Sequence, residues 1–375
     1  MSGSEPNKCD AMISSLEVTN FRGIKSLEID DFRPLNLFYG ENNCGKTSIL
    51  EALFLTLGMS NPKILFALNQ LRNLIFSEAD DFRFFFYKLD YNNRISAKLN
   101  TAGGLTRSVS ISPLDTTLHI QKNIQEVRQG GVNKFDLGLS TQQDLVSGLK
   151  FAFSLRKNGR KTQKDYSLEI TFENGELKVK PSKNYKEELI AVFLSTGTAH
   201  VGLPDRLDKV LQRKLKTRLL KPLQKLEPLL QDITLGSNGM IYVDLGESFD
   251  RLLPLNILGD GAVRLLSILT AIVYNKNSVI LIDEIENGFH YSSLEELWKS
   301  ILLTAKENAV QVFATSHSSE ALAHLTNVLS QPDFRDFKDD VHSYTIRKLR
   351  RDLVKAYPYD FQQIEHLFEH GVEVR

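Results

Sequence analysis

Residues Ser14 to Thr19 alternate apolar and polar positions, the period of a half-buried strand, and a second short strand follows at Ser26 to Ile29. Leu35 to Tyr39 is mostly apolar, which predicts a strand buried on both faces. It runs directly into Gly40, and a helix is expected from about Lys46 to Leu57. The middle of the chain, about 60 to 250, is less regular. Phe82 to Tyr87 is aromatic and strand-like, and Ile95 to Leu99, Ser108 to Ile111 and Leu149 to Leu155 read as further strands. Tyr166 to Phe172 and Glu176 to Val179, joined through Glu173-Asn174-Gly175, read as a hairpin. Leu189 to Leu194 suggests a buried strand. From Asp205 to Gln231, leucines recur at three- and four-residue steps (Leu207, Leu211, Leu215, Leu219, Leu223, Leu226, Leu230), a long amphipathic helix or helix pair. Pro222 and Pro228 are placed to kink or split it.

After residue 250 strands and helices alternate again. An apolar helix opens at Gly259-Asp260-Gly261 and runs to about Val273. Val279 to Ile282 is a buried strand ending in Asp283-Glu284, Leu294 to Ala305 is helical, and Val310 to Ala314 is another buried strand. A strand pair and a short helix, Asp360 to Glu369, close the chain. The fold class is therefore α/β. A chain of 375 residues has room for two to three domains, or for one large α/β domain with an insertion.

Charge narrows the partners. Lys+Arg and Asp+Glu both number 46, which excludes polycation behaviour of the whole chain, so nucleic acid would have to meet a local patch. One candidate is the face carrying Arg206, Lys209, Arg213, Lys214, Lys216, Arg218, Lys221 and Lys225, opposed by Asp205, Asp208, Glu227 and Asp232. Arg347, Lys348, Arg350 and Arg351 form a second. Either set fits DNA phosphates, an acidic partner or plain solvation. Two cysteines, Cys9 and Cys44, make neither a disulfide framework nor a zinc site, which points to the cytoplasm. No apolar run is long enough to span a membrane, and residues 1–11 read as a disordered tail.

Four short motifs carry chemistry. Gly40-Glu41-Asn42-Asn43-Cys44-Gly45-Lys46-Thr47 matches the phosphate-loop pattern GxxxxGK[ST], with a buried strand before it and a helix after it. Glycines let backbone N–H groups turn inward around phosphates, and the helix N-terminus adds positive potential. Gly40, Asn42, Asn43, Cys44, Gly45, Lys46, Thr47 and Ser48 are the candidate phosphate-binding positions, with Lys46 bridging the β- and γ-phosphates and Thr47 holding Mg²⁺. The strand end Asp283-Glu284 supplies a second metal ligand, Asp283, and a carboxylate, Glu284, suited to polarising an attacking water. Gly259 and Gly261 at a helix start make a second anion site or a plain helix entry capped by Asp260. His317, just past a strand end, fits a γ-phosphate contact or a structural role.

The order of these motifs resembles that of ABC-type ATPases. More narrowly, the chain resembles the soluble branch containing RecF, SMC heads and the ATPases related to OLD (overcoming lysogenisation defect) nucleases. The resemblance rests on Phe21-Arg22-Gly23-Ile24, Gly40 to Ser48, Leu258-Gly259-Asp260-Gly261 with Arg264-Leu265-Leu266, Ile282 to His290, and Ala314-Thr315-Ser316-His317. It covers about 12 to 60 and 240 to 375. It implies an ABC-type P-loop ATPase head over 12–375, with an inserted β-rich and helical lobe within 60–240 that includes the basic helix at 205–231. It also implies a head-to-tail homodimer, or a multiple of dimers, enclosing two ATP molecules. In that picture Lys46 and Thr47 act in cis, and Gly259 and Gly261 reach the partner's γ-phosphate. Glu284 is the general base and His317 the switch histidine. Glu286 to Gly288 communicates across the dimer, and Arg22 lies near the nucleotide. Gly-Asp-Gly replaces the transporter signature Ser-Gly-Gly-Gln. Only 58 residues follow His317 and hold no Asp-x-Asp pair, so the resemblance is to stand-alone ATPases that are paired with a separate nuclease or other effector in anti-phage defence. A RecF-like, ATP-dependent DNA clamp and a nucleotide-gated scaffold with little hydrolysis are the alternatives.

Overall fold

A computed structural model describes residues 11–61, 63–75, 78–114, 146–161, 165–173, 176–180, 185, 187, 189–198, 200–349 and 353–369. In chain order, β1 (Ile13–Phe21), β2 (Ile24–Ile29) and β3 (Leu35–Tyr39) lead into α1 (Lys46–Leu57) and α2 (Ile64–Gln70). The middle supplies β4 (Ile95–Thr101), β5 (Leu105–Pro113), β6 (Gly148–Lys157), β7 (Arg160–Lys161), β8 (Tyr166–Glu173), β9 (Glu176–Lys180) and β10 (Ala191–Leu194). Then come α3 (Leu203–Gln212), α4 (Lys216–Leu226), β11 (Asp232–Leu235), β12 (Ile241–Asp244) and β13 (Leu253–Pro254). The rest is α5 (Asp260–Tyr274), β14 (Val279–Ile282), α6 (Leu294–Asn308), β15 (Gln311–Ser316), α7 (Ser319–Ser330), β16 (Val341–Lys348), β17 (Val354–Tyr359) and α8 (Phe361–Glu369).

The continuous apolar strands form the inner sheet, ordered β10-β14-β15-β3-β16-β17 and parallel except for the last pair. Every residue of β3 and β14 is buried, as a sheet covered on both faces requires. The alternating strands form the second sheet, an antiparallel one ordered β2-β1-β4-β5-β6-β8-β9, with β7 folded back on β6. Helix α1 lies between the two sheets. Its Ile49, Leu50 and Leu53 share one core with Leu16 and Val18 of β1 and with Leu281 and Phe313 of the inner sheet. The other face of the inner sheet packs on α5, α6 and α7, with α3 and α4 outside them. Gln311 joins the sheets directly: its amide accepts from Ile13 N and donates to the carbonyls of Ile13 and Arg33. Arg107 of β5, 2% exposed, donates to the Thr56 and Leu57 carbonyls and fixes the carboxyl end of α1, where a cation complements the helix dipole.

Two expectations change. Phe82 to Tyr87 is not a strand: Ala79–Phe85 is a 3₁₀ helix, and only an isolated bridge from Phe21 to Phe86 remains. Phe82 and Phe85 fall three residues apart and so share the buried side of that helix, and this burial outweighs the β-propensity of aromatic residues. The 205–231 segment is two helices, and its break is not at a proline. Lys214 adopts φ 59° between α3 and α4, Pro222 sits within α4, and α4 ends before Pro228. Helices α2 and α7 and the small sheet β11-β12-β13 are additions to the sequence reading. The expected tail, but for Ala11, the hairpin loop at Asn174-Gly175, and Arg350 and Arg351 lie outside the described residues. Among the described residues no helix is long and apolar enough to cross a membrane.

Candidate active site

The carboxyl ends of β3, β14 and β15 lie side by side and set the site. From β3 the chain turns through Gly40, at φ 152°, where an added Cβ would stand 2.5 Å from the Ile346 carbonyl oxygen of β16. It continues through Asn43 at φ 62° to Gly45 at φ 109°, the N-cap of α1. No side chain caps α1 and no acidic residue occupies its first turn. Its opening N–H groups and the positive end of its dipole are therefore left for an external anion. Lys46 is 8% exposed, and its Nζ donates to the carbonyls of Gly40 and Glu41, both at 2.7 Å. Its ammonium thus already crosses the mouth of the loop. Cys44 is buried, and burial pushes its thiol above the ordinary range, so it packs as a neutral group.

Asp283 follows β14 directly. Its carboxylate accepts from Thr47 Oγ1 at 3.0 and 3.1 Å and from Thr315 Oγ1 at 2.6 Å. Burial raises its carboxyl above the usual range, and the two hydroxyl donors oppose that shift. The same Thr315 hydroxyl accepts from Glu284 N at 2.8 Å. One fully buried threonine on the adjacent strand therefore fixes both acids. Glu284 stands at φ 49°, a left-handed backbone that costs a non-glycine residue about 1–2 kcal/mol. Its carboxylate accepts from Asn287 Nδ2 at 3.3 Å. Glu286 Oε1 accepts from His317 N at 2.9 Å and lies 3.0 Å from His317 Nδ1. His317 is thereby held against the loop that follows Glu284.

The two glycines separate in role. Gly259, at φ 89°, is the N-cap of α5 in place of Asp260, and a Cβ there would meet nothing within 4 Å. A Cβ on Gly261 would stand 2.8 Å from the Gly288 carbonyl oxygen, so this position needs glycine for α5 to pack on the 286–288 loop. Arg264 of α5 is buried and donates to the carbonyls of Ser195 and Asp283, both at 2.7 Å, which ties the glycine helix to the acidic strand end.

Arg22, expected near the nucleotide, lies beneath α1. Its guanidinium is buried, donates to Phe84 O, Leu68 O and Asn69 Oδ1, lies 3.3 Å from Glu51 Oε2, and stacks on Phe85. Burial lowers it to about 10, with Glu51 acting against that shift. Arg22 thus braces α1 from beneath through Glu51. Arg72, which the sequence reading passes over, makes a two-point ion pair with the same Glu51 at 2.7 and 3.0 Å and donates to Ser48 Oγ at 3.2 Å. Burial works against its charge, but Glu51 and the nearby Asp283 raise it on balance. The signal in sequence would have been a buried glutamate, Glu51, on the core face of the phosphate-loop helix.

The basic face of α3 and α4 is partly consumed internally. Lys216 pairs with Asp232, Arg218 with Glu307, Arg206 donates to Val201 O and Ser267 Oγ, and Arg213 donates to Tyr274 O. Lys209, Lys214, Lys221 and Lys225 remain exposed, without a side-chain bond to another described residue.

The donor set at Thr47 and Asp283 fits Mg²⁺: a hydroxyl and a carboxylate, both hard oxygen ligands, meet at a part-buried position where, among the described residues, no cationic side chain contacts the carboxylate. Among the described residues no group of three ligating side chains occurs, so substrate oxygens and water would complete the shell.

A phosphate loop on one strand, paired acids on the second strand over and a histidine beyond the strand between them are the arrangement of a P-loop ATPase. Residues 12–190 match the family described as "AAA ATPase domain", and residues 146–323 match "AAA domain, putative AbiEii toxin, Type IV TA system". An ATP/GTP phosphatase of Helicobacter pylori is 26% identical over 385 aligned residues, spanning 96% of this chain and 98% of that protein. The DNA replication and repair protein RecF of Francisella tularensis subsp. novicida is 35% identical over 116 residues, 31% of this chain and 30% of its own length. Among solved structures, the Smc head domain of Pyrococcus furiosus, with an extended coiled coil and bound to the C-terminal domain of ScpA, aligns with 96% of this chain at 10% identity and a TM-score of 0.49.

Proposed function

We propose that this ATPase is a dimeric switch, or a multiple of dimers, that hydrolyses ATP and thereby controls a separate effector such as a nuclease in anti-phage defence. The observation that carries the chemistry is the single Thr315 hydroxyl holding Asp283 against Thr47 while orienting Glu284 from its own backbone N–H. Lys46 exchanges its two carbonyl acceptors for β- and γ-phosphate oxygens, and the N–H groups of residues 45–48 meet the remaining phosphate charge. Thr47 and Asp283 would hold Mg²⁺, which when bound neutralises phosphate charge. Glu284 takes the proton of the attacking water, and His317, steadied by Glu286, faces the γ-phosphate. The products are ADP and phosphate. The exposed Gly259 helix start offers N–H groups to a second copy's γ-phosphate, which supports the dimer. The AbiEii-type family match supports the defence setting.

Turnover tests the assignment. Lys46→Ala is expected to lose ATP binding and hydrolysis together. Glu284→Gln is expected to keep binding and lose turnover by about 10²–10⁴-fold, the usual worth of a general base. Normal turnover in both variants would contradict it. A second reading, a RecF-like clamp on DNA, is favoured by the RecF likeness and by the four exposed lysines of α3 and α4.

A further inference from the structure

The two sheets meet at their edges. β2 ends the antiparallel sheet and β17 ends the inner one. Each edge carries backbone N–H and C=O groups without a strand partner. The edges converge beneath the phosphate loop, where Val354 and Ile24 carbons lie 3.7 and 3.9 Å from the place a Gly45 Cβ would take. Farther along, between Glu28–Asp31 on one side and Ala356–Asp360 on the other, a cavity of about 800 Å³ opens.

Its charge is one-sided. Glu28, Asp30, Asp31, Asp339 and Asp360 line it, against Arg33 and Lys338. Both cations are engaged in the wall: Arg33 Nη2 lies 2.9 Å from Asp31 Oδ2, and Lys338 Nζ lies 3.8 Å from the Phe361 ring centre. Glu28, Asp30 and Asp339 have no ion pair among the described residues. The floor is rigid. Tyr344 donates to the Asp30 and Asp31 carbonyls, and His342 Nδ1 lies 3.0 Å from the latter. The carboxylates come from separate elements, and no described group of three forms a metal cluster. Nucleic acid phosphates would be repelled.

We propose that this cleft is a docking groove for an extended, basic segment of a partner protein. The segment lies extended beside Glu28–Asp31, past the point where β2 and β17 converge, pairs there with the open end of the β2 edge and sends Lys or Arg side chains to Glu28, Asp30 and Asp339. Backbone pairing supplies affinity and the carboxylates select charge. The surface lies apart from the catalytic residues and does not depend on the proposed switch. It is nevertheless connected to them, because β16 and β17, which wall the cleft, also press on Gly40 and Gly45.

The test uses the full chain and a fluorescein-labelled peptide of alternating Arg and Val, with an alternating Glu and Val peptide as control. Anisotropy reads binding, and backbone hydrogen exchange reads its place. Salt-sensitive binding of the Arg peptide alone is expected, with protection over 28–31 and 356–360. Combined Glu28→Lys, Asp30→Lys and Asp339→Lys should weaken it about tenfold or more while ATP turnover and melting temperature are kept. Glu28→Gln, Asp30→Asn and Asp339→Asn should give a smaller loss. The proposal is overturned by absent binding, by binding indifferent to charge reversal, by protection elsewhere, or by the same protection from Ca²⁺ alone or from duplex DNA.

Discussion

Thr315 is the residue on which the acids depend. Its hydroxyl donates to Asp283 and accepts from Glu284 N, so Thr315→Val removes both bonds at nearly constant volume. Asp283 would then rotate and the Glu284 backbone would relax. Misplacement of about 1 Å costs catalysis about 10²-fold, so a drop in kcat of that order is expected with KM for ATP little changed. Thr315→Ser should restore most of it, and kinetics that are unchanged in the valine variant would contradict the role. Asp283 supplies a second prediction. Burial raises its carboxyl, so the fold favours the protonated form. The resulting cost is absent below the ordinary carboxylate range near pH 4 and is full above the raised value. Without nucleotide or divalent cation, Asp283→Asn should therefore melt a few degrees higher at neutral pH, and the gain should vanish toward about pH 4. An Asn variant that melts lower at neutral pH would show that the carboxylate is stabilising. The phosphate loop was legible because its chemistry is contiguous in sequence. Thr315 appeared there only as a neighbour of His317, because its role comes from the pairing of β14 with β15, where Ile282 stands opposite Ala314. Arg72, and the bracing of Arg22, were missed for the same reason: their common partner, Glu51, is a tertiary contact.

At the scale of elements, regular periods read well. β3 and α1 have the bounds that apolar runs and glycine punctuation suggest, and the expected 166–179 hairpin forms, with Glu173 already paired to Glu176. Aromatic Phe82 to Tyr87 read badly, because a 3₁₀ turn and a buried strand both place aromatics inward over so short a span. The basic face of α3 and α4 shows why a charge count overstates a patch: Arg206, Arg213, Lys216 and Arg218 are spent on internal acceptors. Lys209, Lys214, Lys221 and Lys225 are the ones left to meet phosphates. If the DNA reading holds, reversing those four to Glu should weaken ATP-dependent duplex binding and flatten its salt dependence by about one unit of slope per lost phosphate contact. Duplex binding that is indifferent to the reversal would remove these helices from any DNA surface.

In the whole molecule, α1 is clamped between an antiparallel sheet and a mostly parallel one, and both sheets bear on the phosphate loop. The 60–240 segment was expected as an inserted lobe. Its strands β4 to β6 and β8 to β9 complete the sheet begun by β1 and β2, and β10 returns as an edge of the inner sheet. Pairings between segments so distant in sequence leave no local pattern, which is why the alternation showed strands but not the sheet they share. The catalytic ends, the Gly259 helix start and the acidic cleft occupy different parts of this frame, so nucleotide state and partner binding have separate surfaces with shared supports. The central claim is that ATP joins two copies through those glycine helix starts. Light scattering of the purified chain with and without ATP and Mg²⁺, for the parent and for Glu284→Gln, tests it most directly. Nucleotide should drive dimers or larger even-numbered assemblies, and Glu284→Gln should trap them without turnover. A mass unchanged by nucleotide, with turnover surviving in Glu284→Gln, would contradict both the dimer and its general base.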